Sequence, residues 1–85
     1  MVVGVQIADT MPPNATIDYF TWGWDASLDV VWTVVPTTES MGQPQVEWNV
    51  AIERASDTSV TYHVTITNLT SSDLGVEGRY AILNL

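Results

Sequence analysis

Apolar and polar residues alternate along most of this chain, and no long stretch keeps a helical period. Alternation with period two sends successive side chains to opposite faces of an extended strand. It is clearest in two segments. Across Gln45–Arg54, Val46, Trp48, Val50 and Ile52 face one way, and Glu47, Asn49, Ala51 and Glu53 the other. Across Ser59–Leu69, Val60, Tyr62, Val64 and Ile66 oppose Thr61, His63, Thr65 and Thr67. Ala55-Ser56-Asp57-Thr58 lies between them and has turn chemistry, so the pair reads as a hairpin with one wet face.

Four further strands are predicted. The first runs over Val2–Ala8 and is broken by Asp9-Thr10-Met11-Pro12-Pro13-Asn14, because proline cannot donate to a ladder. The second covers Ala15–Trp24, with Gly23 marking a bulge. The third, Leu28–Val35, is apolar at nearly every position, which predicts a central strand covered on both faces. The sixth covers Val76–Leu83, with Gly78 as a bulge or a site of close approach. The longest loop spans Pro36–Pro44. Valine and threonine are the commonest residues, and their β-branching favours strands over helices. The chain is therefore expected to be one all-β domain over residues 1–85, a small antiparallel sandwich of about six to seven strands, with an open barrel as the alternative.

Composition narrows the function classes. With 46% apolar residues and four tryptophans, the chain can build a core without the disulfides that its zero cysteines deny it. Ten Asp and Glu against two basic side chains give a net charge of −8. Nucleic acid and anionic membranes are poor partners for such a surface. No signal segment is visible at the start, and no apolar run reaches the ~18 residues of a membrane span.

The stretch Tyr62-His63-Val64-Thr65-Ile66-Thr67-Asn68-Leu69-Thr70 resembles a pattern of immunoglobulin-like domains in bacterial surface and extracellular proteins. There, Tyr-x-Val-x-Ile-x-Asn opens a late hairpin with its Asn in the turn, and Val76–Leu83 would be the return strand. The resemblance covers about a quarter of the chain and implies an immunoglobulin-like sandwich, without the Cys-Trp-Cys hallmark of antibody domains.

Candidate chemistry is sparse. His63 is the only histidine and lies among threonines on the wet face of its strand, where a solvated imidazole is expected rather than a catalytic one. No Gly-x-Ser-x-Gly elbow, metal-ligand spacing or Asp-x-Asp-x-Asp-Gly loop occurs. Glu47 and Glu53 share a face but stand about 20 Å apart, too far to act as an acid–base pair. Asn14-Ala15-Thr16 and Asn68-Leu69-Thr70 match the glycosylation acceptor pattern, and no sugar is expected on them. The aromatic residues say more. Strict alternation puts Phe20, Trp22 and Trp24 on one face, beside a turn holding Asp25 and Asp29. Trp32 and Trp48 are expected in the core.

These features predict a non-catalytic structural or interaction module of an extracellular, surface or virion assembly. It would need no cofactor or metal and would self-associate, or bind a protein partner, through apolar faces or sheet edges. The low charge of the first and last strands motivates a homo-oligomer. The alternative is a carbohydrate-binding module or small lectin, with Trp22 and Trp24 stacking on sugar and Asp25 and Asp29 holding sugar hydroxyls or calcium.

Overall fold

The computed structural model describes residues 1–85 and contains strands only, with no helix. They are β1 (Val2–Met11), β2 (Thr16–Asp25), β3 (Val30–Pro36), β4 (Val46–Arg54), β5 (Ser59–Asn68) and β6 (Leu74–Ile82). They form two antiparallel three-stranded sheets, ordered β1-β6-β3 and β2-β5-β4. Only β4 and β5 are both consecutive and paired; every other connection passes from one sheet to the other.

This order changes two expectations. The third strand is an edge rather than a centre, and the last strand is the centre of its sheet. Apolar content misleads here because β3 has a buried side carrying Trp32 and Val34 and an exposed side that is also apolar, with Val31. The second concerns the hairpin that the resemblance implied after Asn68: β6 does not return beside β5 but pairs with β1 and β3. β1 also runs on through Asp9-Thr10-Met11 before Pro12 stops it.

One buried cluster draws on both sheets. Ile7, Met11, Trp32, Val34, Leu74 and Val76 come from β1, β3 and β6, and Val60, Tyr62, Val64 and Ile66 from β5. Trp24 and Tyr80 pack against it and, with Trp32 and Tyr62, meet edge to face or tilted, with ring centroids between 5.3 and 5.9 Å. Each such pair contributes about 0.5–1.5 kcal/mol beyond the area it buries. Trp32 Nε1 is buried without a hydrogen-bond partner, among rings whose π faces are weak acceptors. Gly78 is a close-approach site and not a bulge: a Cβ there would collide with Ile7, which packs directly on the β6 backbone. The bulge in that sheet lies in β1, between Val5 and Ile7. Trp48 points to the buried side of β4, in register with Ile66, but the edge position leaves it 37% exposed.

Asn68 secures the loops at one end. It is fully buried and donates to the carbonyls of Pro12 (2.9 Å) and Ser72 (2.8 Å), with a longer bond to Met11. Its Oδ1 accepts from the Thr70 backbone and hydroxyl. That ties the β1–β2 loop to the β5–β6 loop, and no Nδ2 proton faces solvent for glycosylation.

Candidate functional site

The second strand does not keep its alternation. Pairing with β5 is regular from Thr16 to Thr21, then slips before resuming at Trp24. Trp22 and Gly23 together stand opposite the single residue Thr61, and Gly23 has φ +79°, a left-handed conformation that costs glycine little. The bulge turns Trp24 onto the buried side, where its indole N–H donates to Thr21 Oγ1 at 3.1 Å. Phe20 and Trp22 stay outside, 58% and 72% exposed. Trp22 and Trp24 therefore do not share a face. The glycine beside them was the sequence signal for this, but alternation alone could not say which tryptophan it would turn.

The Asp25–Asp29 turn is internally satisfied. Asp25 Oδ1 accepts from the Ser27 backbone N–H (2.9 Å) and hydroxyl (2.8 Å), and these bonds hold its carboxyl below the usual range. Asn84 closes the turn, accepting from the Asp29 N–H and donating to the Ser27 carbonyl. Neither Asp25 nor Asp29 lines the groove that holds Trp22.

That groove, of about 610 Å³, follows the seam between the free edges of β1 and β2. Ile7 and Asp9 line it from β1; Asp18, Tyr19, Phe20 and Trp22 line it from β2. Two side-chain bonds cross the seam. Tyr19 OH donates to Asp9 Oδ2 at 2.6 Å, and Gln6 Nε2 donates to Thr21 Oγ1 at 3.2 Å. Burial, then the bond and proximity to Asp9, raise the Tyr19 hydroxyl far above its ordinary value, so it remains a donor throughout the neutral range.

His63 sits beside this seam on the exposed side of β5. Its Nδ1 meets Asp18 Oδ2 of β2 at 3.0 Å, and its Nε2 meets Glu53 Oε1 of β4 at 3.4 Å. Phe20 stacks on the ring, with centroids 6.0 Å apart. The bond to Asp18, then that to Glu53, raises the imidazole's pKa. No sequence spacing could place three groups on three strands, because cross-strand register decides it. Both ring nitrogens face a carboxylate oxygen, so both can donate only when the ring is protonated. The two carboxylates sit on opposite sides of the ring, so the three groups cannot converge on one ion, and no cluster of metal-binding groups occurs elsewhere.

The exposed face of the β1-β6-β3 sheet differs in character. Val3, Ala81 and Val31 form one row across its three strands, and Val5, Arg79 and Thr33 the next. Val3 is 69% exposed, and Val5 and Val31 are also open. Of the ten carboxylates only Glu77 stands on this face, paired with Arg79 at 2.9 Å.

The chain matches no family model, no curated protein and no solved structure.

Proposed function

We propose that this protein is a non-catalytic assembly module, and that two copies meet through the exposed face of the β1-β6-β3 sheet. The observation that carries this is the pairing of a net charge of −8 with one face that is apolar and locally neutral. Like-charged copies repel wherever their carboxylates converge. The valine face is where they can approach without that cost, and its apolar rows gain from leaving water. With the two-fold axis in the interface and perpendicular to β6, the two β6 strands run antiparallel, and Arg79 can exchange Glu77 for the partner's Glu77.

Size limits the affinity. Three strands at about 4.8 Å by seven residues at about 3.3 Å cover roughly 330 Å² in projection. This is well below the ~800 Å² per partner of a standard interface. A single contact should therefore be weak, micromolar or weaker, and effective mainly when many copies are held close.

Two packed sheets of immunoglobulin-like order would support such a role. In that order, β2-β5-β4 corresponds to strands B-E-D and β3-β6 to the C–F pair, with β1 in the position of strand G. The single core shared by both sheets favours a sandwich. The threonine- and valine-rich, lysine-free composition supports an extracellular or surface setting.

Sedimentation equilibrium from micromolar to millimolar protein tests the proposal. Wild type should show a reversible monomer–dimer equilibrium that Val31→Asp abolishes, with circular dichroism unchanged. A strict monomer at millimolar concentration, or a dimer untouched by Val31→Asp and Val3→Asp, would overturn it.

A further inference from the structure

We propose that the seam between β1 and β2 is a second binding site, taking an extended cationic peptide along the free edge of β2. The peptide's Arg or Lys side chains would lie over Phe20 and Trp22 and against Asp18.

Three independent observations converge on this occupant. The first is the edge. β2 is hydrogen-bonded to β5 on one side only, and its register is regular from Thr16 to Thr21. Its outward N–H and C=O groups are a template for one more strand, the usual mode of peptide addition to a sheet. The bulge at Trp22–Gly23 ends that template and sets where the added strand must stop.

The second is the aromatic spacing. Phe20 and Trp22 rings lie 5.9 Å apart, tilted by 35°. Alternate side chains of an extended peptide project at about 6.6–7 Å, so two side chains at positions i and i+2 can each cover one ring. Arginine and lysine cations are drawn to such faces.

The third is charge. Asp9 and Asp18 line the groove, Glu53 stands across His63, and no basic side chain lines it. Arg79 is on the other sheet's exposed face, and Arg54 is held by the Ser56 and Asp57 carbonyls in the β4–β5 turn. Asp9 and Asp18 are within reach of the β2 edge; a cationic peptide brings a counter-charge to them, and an acidic or neutral one does not. His63 makes the site sensitive to acid. The groups facing it are Asp18 from β2 and Glu53 from β4, and the other exposed-side neighbours, Ala51 and Phe20, do not titrate. Protonating the ring puts one positive charge between Asp18 and Glu53, which offsets part of their negative charge and opposes an incoming cation, so affinity should fall in acid.

Calorimetric titration with a synthetic Arg-Val-Arg-Val-Arg-Val-Arg peptide tests the site, with Trp fluorescence as a second readout. Wild type should bind it, and a Glu-for-Arg counterpart should not bind. Trp22→Ala and Asp18→Asn should each weaken binding about tenfold, in line with a desolvated cation–π or charge pair. Glu39→Gln removes the same charge from a remote loop and should leave affinity within about twofold. A peptide N-methylated on alternate amides, so that it cannot pair with a strand, should bind far more weakly. Absence of binding, or equal losses from Glu39→Gln and Asp18→Asn, would overturn the proposal. So would Trp22-dependent binding of cellohexaose with none of the peptide, which would mark the groove as a saccharide site. Sedimentation of the same Trp22→Ala variant separates this site from the valine face, since its self-association should be unchanged.

Discussion

At the residue scale, Asn68 and His63 show how much one side chain can do when several strands meet around it. Asn68 satisfies three carbonyls from two loops while fully buried. Asn68→Ala removes one donor from each carbonyl, leaving Pro12 only the Ala15 N–H and Ser72 only the Thr70 hydroxyl, and takes the acceptor from the Thr70 N–H; each lost bond costs about 1 kcal/mol or more. Thermal melts should place the variant about 3 kcal/mol or more below wild type; a loss under about 1 kcal/mol would contradict this role. His63 makes a pH prediction. Its folded pKa is raised by Asp18 and Glu53, so the folded state binds the proton more tightly than the unfolded chain. The resulting stability is fully present below the unfolded value of about 6.5 and is lost as pH rises through the raised folded value. The melting-temperature difference between wild type and His63→Gln should therefore shrink from mildly acidic to alkaline pH. A difference that grows across that window would contradict the Asp18–His63–Glu53 arrangement. The sequence placed His63 correctly on a wet face, but its partners lie on β2 and β4, beyond what one strand's pattern can specify.

At the element scale, the bulge in β2 decides which tryptophan packs and which is presented. Trp24 touches Trp32, Tyr62 and Tyr80, so Trp24→Ala should cost about 3–5 kcal/mol. Trp22 is mostly in solvent, so Trp22→Ala should change stability by no more than about 0.5 kcal/mol. Strict alternation assigns the two equal roles, and urea melts of both variants distinguish the cases. Gly23→Val would force a β-branched residue to φ +79° and should destabilise by more than about 1 kcal/mol. Strand content and most boundaries were readable from alternation because each strand has one buried side. Strand order was not. The apolar run of β3 looks central, yet the chain spends that apolar surface on an exposed face. The charged pair Glu77 and Arg79 lies in the central strand β6, where a search for edges would not place it.

At the scale of the whole molecule, the charge is unevenly distributed. Acidic groups border the β1–β2 seam and the exposed side of β2-β5-β4, while the face of β1-β6-β3 is apolar and neutral apart from one ion pair. The proposed self-association uses the neutral face; the proposed peptide site uses the acidic seam. Added salt should affect them in opposite directions. Screening relieves repulsion between copies and weakens capture of a cation. Sedimentation and peptide titration at low and high sodium chloride should show tighter self-association and weaker peptide binding as salt rises. The sequence supplied the excess of negative charge and the lightly charged first strand. It could not show that Val3, Val5, Val31 and Ala81 align into rows, since that depends on β6 lying between β1 and β3.

The most direct test of the assembly proposal is a dilution series of amide NMR spectra on the wild-type protein. The account predicts concentration-dependent shifts confined to Val3, Val5, Val31, Thr33, Arg79 and Ala81, with the amides of β4 and β5 unmoved. Shifts centred on β4, or none up to millimolar protein, would contradict it.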